Sequence, residues 1–233
     1  MGVIGIIGAM NIEIEGLLTR MDEASVKAAA GIDFHVGKLG GRDVVVARCG
    51  IGKVNAAMCA QAMLGLFSVD AVINLGVAGA VFDGLDVKDV VVSEYVLQHD
   101  FDIVGRAAGF VPDLGVEIAA DEGLVKAALA ACDKVFAENP GQNRAFKGPV
   151  ATGDQFVAGG GIKTRIWDVF GAYCVEMEGA AIGQVCFLNK VPFVVIRAIS
   201  DKADGSAEVD FGEFVAAAAA NSAEIVLEMM GWI

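Results

Sequence analysis

Short apolar runs alternate with helix-like segments along this chain. That alternation predicts an α/β protein with a mixed, largely parallel central sheet flanked by helices. The 233 residues suit one large α/β domain or two small ones, and 55% of them are apolar, which is enough for a sizeable core. Neither an internal repeat nor a proline-rich linker is evident, since the chain has only four prolines. We therefore expect a single domain over residues 1–233.

The first half of the chain opens with a run that is apolar on both faces, Val3–Gly8, as in the strands of parallel sheets. Apolar residues at helical spacing (Ile14, Leu17, Leu18 and Met21) predict a helix after it. Glycine-rich turns then separate the predicted elements, which are a hairpin at 34–39 and 43–49, a helix at 54–67 and a strand at 71–75. The turn at 50–53 lacks the full phosphate-loop pattern, so we interpret it as turn chemistry.

The second half continues the alternation, with a strand at 87–96, an exposed loop at 105–118 and a helix at 121–132. The remaining predicted elements are strands at 145–152, 172–175 and 192–199, with helices at 162–170, 180–188 and 211–230. Between the last strand and the last helix lies the polar segment 202–210. Its position and composition are typical of a lid that folds over a bound substrate.

Composition excludes several classes of partner. The net charge of −13 makes nucleic acid an unsuitable partner, because phosphates attract basic surfaces. No run reaches the roughly 18 apolar residues that span a bilayer, and no secretory signal pattern is present, so no membrane partner is expected. Five scattered cysteines without a C-x-x-C pair indicate reduced thiols in a cytoplasmic protein. Only two histidines are present, so we expect neither a metal site nor a cofactor.

One stretch, 174–181, places two carboxylates in an otherwise apolar run. Glu176 and Glu178 lie between a strand-like segment and a helix-like segment, with Gly179 at the corner. A carboxylate among apolar neighbours is costly unless something pairs with it, which makes this corner a functional candidate. The alternative is that both glutamates are solvated turn residues.

Other polar or small residues also follow predicted strands at their carboxyl ends. If the sheet is parallel, these residues meet at one edge, where ligands bind in open α/β sheets. They supply several carboxylates, an aromatic ring and small residues that leave the backbone accessible. Cleavage of a glycosidic bond through an oxocarbenium-like state needs this inventory of an acid, a base and groups that hold the sugar. The positions concerned are Glu13, 77–79, 156–157, Glu176, Glu178 and Asp201.

Several motifs, taken together and in order, resemble one known family. They are Gly5-Ile-Ile-Gly-Ala-Met10 with Glu13, Gly50-Ile-Gly-Lys53, Gly153-Asp154 with Phe156, Val175-Glu-Met-Glu178 and Phe193-Val-Val-Ile-Arg-Ala-Ile-Ser-Asp201. They are similar to those of the 5′-methylthioadenosine/S-adenosylhomocysteine nucleosidases, members of the purine nucleoside phosphorylase-like superfamily. The resemblance covers nearly the whole chain. It implies a nucleoside phosphorylase-like fold and a hydrolase that releases adenine and a 5-thioribose product from small adenine nucleosides.

The resemblance also implies roles for three carboxylates and a neighbour. Glu13 would be the base that activates water, and Asp201 would protonate adenine at N7. Glu178, together with the backbone of Met177, would hold the ribose hydroxyls. From the residues alone, Glu13 could instead favour the helix N-terminus through its dipole, and Asp201 could be a cap at a strand end.

Further residues are assigned to the walls of the site by the same resemblance. Phe156 would stack on adenine, while the Val157 backbone would hydrogen-bond to its edge. Arg197 would order the water and Glu178. By default, Phe156 would be a core aromatic and Arg197 a structural ion-pair partner. The remaining expected contacts are the small-residue position Gly79 and the ribose and 5′-group walls Met10, Ile51 and Phe211.

One position departs from the family pattern. Val77 stands where the family usually has serine in Asn-Thr-Gly-Ser-Ala-Gly-Gly, so a hydroxyl near the ribose and water is lost. A valine cannot donate to phosphate, which favours hydrolysis over phosphorolysis. The alternatives are a purine nucleoside phosphorylase, a nucleosidase for 6-amino-6-deoxyfutalosine, or a non-catalytic nucleoside-binding protein. The resemblance implies a homodimer, for which 101–110 offers an apolar and aromatic surface.

Overall fold

The computed structural model describes residues 2–137, 143–204 and 206–233. Its strands are β1 (Val3–Gly8), β2 (Asp22–Ala29), β3 (Ile32–Leu39), β4 (Arg42–Arg48), β5 (Val69–Ala80), β6 (Val90–Gln98), β7 (Ile118–Ala119), β8 (Ala145–Thr152), β9 (Cys174–Glu176) and β10 (Phe193–Asp201). Its helices are α1 (Asn11–Leu18), α2 (Lys53–Phe67), α3 (Glu122–Ala137), α4 (Gly160–Phe170), α5 (Gly179–Asn189) and α6 (Ala207–Met229).

All ten strands belong to one mixed sheet, which confirms the predicted fold class. Parallel pairings join β1 to β4 and β5, β5 to β10, and β8 to β6 and β9. Antiparallel pairings join β3 to β2 and β4, β6 to β7 and β10, and β5 to β9. The predicted hairpin around Gly40 and Gly41 is therefore present as β3 and β4.

Five strands close into a ring. β5 pairs with β10, β10 with β6, β6 with β8, β8 with β9, and β9 returns to β5. Outside the ring, β7 pairs with β6, and the rest of the sheet extends from the amino-terminal half of β5 through β1, β4, β3 and β2. Because β5 takes part in both, its carboxyl half lies between the strands that carry the predicted acidic residues.

The helices form two packed groups around this sheet. α6 packs against α1, α3, β5 and β10, whereas α2 packs against α5. The apolar side chains on their inner faces join those of the strands in one large buried core, and a smaller apolar cluster lies around Val81, Leu97 and Val157. Within the described residues, no helix is both long and apolar enough to cross a membrane.

Three local predictions differ from the structure. The strand predicted at 71–75 runs on to Ala80, so the small residues 76–79 are strand rather than turn. β2 was not predicted, because its eight residues are almost all exposed and carry no apolar alternation. The last helix begins at Ala207, so residues 207–210 of the predicted lid are helical, and Gly205 lies outside the described residues.

Candidate active site

A cavity of about 110 Å³ opens where the carboxyl ends of β1, β5, β9 and β10 meet. Its wall combines apolar side chains with four carboxylates. It is lined by Ala9, Met10, Glu13, Ile51, Val77, Ala78, Phe156, Val175, Glu176, Met177, Glu178, Ser200, Asp201 and Phe211. Most of the residues predicted to meet at this edge line the cavity, whereas Gly79 and Val157 do not.

Glu13, in the first turn of α1, is only 3% exposed and is held by backbone N–H groups. Its Oε2 accepts hydrogen bonds from Ala9 at 2.7 Å and Met10 at 2.9 Å, and its Oε1 accepts one from Val77 at 3.1 Å. Burial raises the pKa of Glu13, although the Arg197 charge and these N–H groups oppose that rise. The carboxylate thus caps its own helix, as the alternative interpretation expected, and also faces the cavity.

Glu176, at the end of β9, forms a buried ion pair with Arg197, whose side chain is 2% exposed. Its oxygens also accept hydrogen bonds from Thr152 Oγ1, from the Glu178 N–H at 3.1 Å and from the Gly179 N–H at 2.7 Å. A buried charge needs such compensation. Glu176 therefore anchors the start of α5 and fixes the chain on which Glu178 lies.

Glu178 occupies the N-cap position of α5 and points toward the turn that precedes α2. Its Oε1 accepts a hydrogen bond from the Gly52 N–H at 2.8 Å, and its Oε2 lies 3.9 Å from an Arg197 guanidinium nitrogen. Burial, with repulsion from Glu176, raises the pKa of Glu178 to about 7, against the lowering effect of Arg197 and the Gly52 N–H. This carboxyl group therefore changes charge near neutral pH.

Asp201 ends β10 and is 2% exposed. Its Oδ1 accepts a hydrogen bond from the Ala203 N–H at 2.8 Å, and its Oδ2 accepts one from the Ser200 hydroxyl at 2.8 Å. Burial raises the pKa of Asp201, opposed by those two hydrogen bonds. A carboxyl group with a raised pKa keeps its proton at higher pH and can act as a general acid.

Apolar residues form the outer wall of the cavity. Phe156 and Phe211 meet edge to face with ring centroids 5.7 Å apart, and Phe156 is 48% exposed. Met10 and Ile51 line the wall contributed by the loops after β1 and β4. An exposed aromatic ring beside an apolar pocket is available to stack on a flat ligand.

Three predicted site residues lie behind the wall. Arg197 is 1% exposed and donates to Asn74 Oδ1 at 2.6 Å, so it reaches the site through Glu176 and Glu178. The Val157 side chain packs in the smaller apolar cluster, and its expected contact through the backbone stays a prediction. Gly79 pairs with Val175 within the sheet, next to Asp201.

Two glycines of β5 leave room for the carboxylates. A Cβ on Gly76 would lie 2.6 Å from Glu13 Oε1, and a Cβ on Gly79 would lie 2.8 Å from Asp201 Oδ1. Real Cβ atoms do not approach other atoms that closely. The close approach of Glu13 and Asp201 to the β5 backbone therefore requires glycine at both positions.

Sequence reasoning missed two contributions to the site. Glu176 was grouped with Glu178 but received no role, because the sequence does not distinguish the carboxylate bound by Arg197 from its neighbour. The Ser200 hydroxyl donates a hydrogen bond to Asp201, a contact that the sequence motif around Asp201 does not reveal. Val77, by contrast, lines the cavity as an apolar side chain and offers only its N–H to Glu13, which agrees with the loss of a hydroxyl there.

The site contains the groups for acid–base chemistry. Among the described residues, no cluster of three histidine, cysteine, aspartate or glutamate side chains could hold a metal ion. The acidic groups lie in a mostly apolar pocket, where each carboxyl group has its own set of hydrogen-bond donors. The arrangement can therefore give a proton on one side of a bound molecule and accept one on another.

The chain matches one family model and is similar to known proteins along almost its whole length. A family model for the phosphorylase superfamily matches residues 3–230. A 5′-methylthioadenosine/S-adenosylhomocysteine nucleosidase from Marinomonas sp. (strain MWYL1) is 40% identical over 236 residues, covering 99% of both chains. Another from Geobacillus thermodenitrificans (strain NG80-2) is 43% identical over 228 residues, covering 97% of this chain and 94% of the relative.

Solved structures of similar proteins have the same fold. The 5′-methylthioadenosine/S-adenosylhomocysteine nucleosidase of Neisseria meningitidis, in complex with methylthio-immucillin-A, superposes with a TM-score of 0.95 at 38% identity over all of both chains. The futalosine hydrolase of Helicobacter pylori strain 26695 superposes with a TM-score of 0.90 at 33% identity, covering 100% of this chain and 98% of that one.

Proposed function

Because this chain belongs to the phosphorylase superfamily and, within it, to the 5′-methylthioadenosine/S-adenosylhomocysteine nucleosidases, we propose that it hydrolyses the N-glycosidic bond of these two nucleosides. The products are adenine and the corresponding 5-thioribose. One observation carries the proposal for the site: Glu13, Glu178 and Asp201 line a single cavity and all have pKa values raised by burial.

In the proposed reaction, the bond between C1′ of the ribose and N9 of adenine breaks, and its electron pair moves to the base. Asp201 donates its proton to N7, so that neutral adenine leaves. Water attacks the oxocarbenium-like C1′ and gives a proton to Glu13. Burial raises the pKa of both groups, which favours the protonated acid at Asp201 and makes Glu13 a stronger base, while Arg197 and the N–H donors around Glu13 oppose the loss of its charge.

We propose that the remaining residues bind substrate. Glu178 accepts hydrogen bonds from the ribose hydroxyls, with the Met177 backbone beside it, and Phe156 stacks on adenine. The backbone of Val157 contacts the edge of the base, and Gly79 leaves space beside Asp201. Arg197 acts through Glu176 and Glu178. Met10, Ile51 and Phe211 surround the ribose and the 5′ group.

The nucleophile in this proposal is water. No lysine or arginine lines the cavity among the described residues, and Val77 offers a phosphate only its backbone N–H, which already bonds to Glu13. A phosphorylase needs groups that bind the phosphate anion. A purely binding protein would have no need for three buried carboxylates, since burial of each costs free energy.

The test is incubation with 5′-methylthioadenosine, with and without phosphate, followed by chromatography of adenine and the sugar. We expect equal rates of adenine release and free 5-methylthioribose in both. Adenine release that requires phosphate and yields a sugar 1-phosphate would contradict the proposal and indicate a phosphorylase. No release under either condition would exclude both enzymes.

A second substrate is supported by the likeness to the futalosine hydrolase. This likeness favours 6-amino-6-deoxyfutalosine, a related adenine nucleoside, as an additional or alternative substrate. Measurement of kcat/KM for this compound, for 5′-methylthioadenosine and for S-adenosylhomocysteine shows which of the three substrates is preferred. A value for the deoxyfutalosine derivative that exceeds both others would reassign the preferred substrate.

We also propose a cytoplasmic homodimer with one nucleosidase domain per chain. The five cysteines are all free and buried, as in proteins of reducing compartments. Apolar side chains are exposed in α2 and just before it, including Ile51 at the cavity wall, Val54 and Met58, and Val104 is fully exposed in the segment 101–110. Such a patch is typical of an interface. A fully active monomer in light scattering at micromolar concentration would contradict the dimer.

A further inference from the structure

A network of charged and polar groups lies behind the turn that bonds to Glu178. Lys53, the first residue of α2, donates from Nζ to Asp100 Oδ1 at 2.6 Å and to Gln98 Oε1 at 3.1 Å. Asp100 Oδ2 in turn accepts a hydrogen bond from the Asp154 N–H at 2.9 Å. Both charged side chains are partly buried, with Lys53 18% and Asp100 21% exposed. A charge-assisted pair in such surroundings is stronger than one on the open surface.

The same network supplies a cap for α2. Asp154 Oδ1 accepts a hydrogen bond from the Lys53 N–H at 2.8 Å, whereas the N-cap residue, Gly52, has no side chain for this purpose. An acceptor at a helix N-terminus satisfies one of its free N–H groups and is favoured by the helix dipole. Asp154 therefore fixes the start of α2 from a different loop, the one that follows β8 and leads to Phe156.

The backbone of the turn is held in a conformation that directs one N–H at the cavity. Gly52 has φ 98° and ψ 159°, a region open to glycine, and its N–H meets Glu178 Oε1 at 2.8 Å. A Cβ at this position would lie 3.0 Å from Asp154 Oδ1. The Glu178 contact thus depends on where Asp154 and Lys53 hold the turn. Gln98 extends the network to α5 by donating to Gln184 at 2.8 Å.

We propose that Lys53 and Asp100 are positioning residues for ribose binding, because with Asp154 they hold the Gly52 N–H against the Glu178 carboxylate. Neither of the two residues lines the cavity, and their effect passes through the turn. Burial alone would raise the pKa of Asp100, but the Lys53 and Asp154 donors hold it below its ordinary value, which favours the ionised carboxylate. The inference rests on the proposed function, in which Glu178 binds the sugar hydroxyls.

The test compares two ligands, one with ribose and one without. We expect Lys53→Met to raise KM for 5′-methylthioadenosine about tenfold, as for loss of a charge-assisted hydrogen bond, while kcat stays within about threefold. Adenine lacks the ribose, so its inhibition constant should stay within about twofold of wild type. An unchanged KM would overturn the inference. A parallel rise of KM and of the adenine inhibition constant would also overturn it, by indicating general distortion of the pocket.

Matched variants separate positioning from stability. The control variant is Lys38→Met, which removes the ion pair between Lys38 and Asp43. This pair has the same 2.6 Å length but neither residue lines the cavity, so KM should be unchanged. Asp100→Asn should raise KM as much as Lys53→Met does. The double variant should have a KM no higher than either single variant, because each of the three loses the same Lys53–Asp100 ion pair. Lys53→Arg keeps the charge and should restore KM to within about threefold of wild type.

The results also distinguish this inference from the proposed function. If the wild-type protein releases no adenine, the proposed function and the positioning role fail together. If the wild type is active but Lys53→Met behaves like Lys38→Met, or if the Lys53 and Asp100 effects multiply, only the positioning role fails.

Discussion

The two sides of the cavity hold their carboxylates by different means. Glu13 and Glu178 each accept an N–H from a distant part of the chain, Val77 being 64 residues from Glu13 and Gly52 being 126 residues from Glu178, while Glu13 also accepts two from the nearby Ala9 and Met10. Within the described part of the chain, Asp201 accepts hydrogen bonds from residues one and two positions away, Ser200 and Ala203. The contacts with Val77 and Gly52 form only when distant segments pack together, whereas the contacts of Asp201 are local.

This difference indicates how the proposed base and acid are controlled. The orientation of Glu13 depends on the packing of β1 against β5, so any change that separates these strands also moves the base. The orientation of Asp201 depends on the first residues of the segment that leads to α6. In the proposed reaction, the attacking water is therefore served by the side that the sheet holds, and the leaving base is served by the locally held side. The following predictions test that division, in order of expected effect.

The largest effect is expected from Glu13→Gln. The amide cannot accept a proton from water, so kcat should fall by roughly 10²–10⁴-fold, the usual contribution of general acid–base catalysis. The loss should persist with a substrate whose leaving group needs no protonation, since activation of water is still required. Steady-state assays with both substrates measure kcat for Glu13→Gln and for the wild type. Recovery with the second substrate would mean that Glu13 is not the base.

Asp201→Asn should cause a similar loss with 5′-methylthioadenosine, roughly 10²–10⁴-fold in kcat, because the amide has no acidic proton for N7. With a leaving group that needs no protonation, this variant should recover much of its rate. Parallel assays of the two variants provide the control. If both recover, or if neither does, the roles assigned to the two carboxylates are wrong.

Titration of Glu178 should make ribose binding depend on pH. Its pKa is about 7, and Glu176, Arg197 and Glu13 are the charged groups that influence it. Below that pH the carboxyl group is protonated and accepts the sugar hydroxyls less well, so affinity for a non-hydrolysable nucleoside analogue should fall by up to about tenfold per pH unit. Calorimetry at several pH values measures the affinity for the analogue and for adenine. Adenine affinity that falls in parallel would assign the effect to another group.

The smallest effect is expected from Ser200→Ala, which removes one hydrogen bond to Asp201 Oδ2. That bond lowers the pKa of Asp201, so its loss should raise the pKa and move the alkaline limb of the kcat/KM profile to higher pH. The rate at the optimum should change by less than about tenfold, in line with a single hydrogen bond. A shift to lower pH would contradict the assignment of Asp201 as the acid.

Much of the fold was predictable because most strands are apolar on both faces. β1 and the start of β10 follow directly from runs of valine and isoleucine. The closure of the ring was not predictable, because the pairing of β10 with both β5 and β6 depends on contacts between distant segments. β2 was missed because its polar, exposed residues show no pattern that distinguishes a strand from a loop.

The site was predictable as a set of positions but not as a hydrogen-bond network. Carboxylates that follow strands indicate a common edge, and Glu13, Glu178 and Asp201 do line one cavity. Gly76 and Gly79 were interpreted as a turn, yet they continue β5, because the space of their missing side chains is taken by Glu13 and Asp201. From sequence alone, glycine required by a turn and glycine required by a close approach look the same.

The ring of strands also sets the order in which the nascent chain can complete its fold. One edge of β5 is covered by β10, so that edge has no partner until residues 193–201 have left the ribosome. At roughly 5–20 residues per second, the wait lasts several seconds, during which an apolar strand edge is open to other chains. A translation product that stops before β10 therefore lacks both the proposed acid and the strand that protects the edge. Such truncated chains should enter the pool that chaperones and proteases clear.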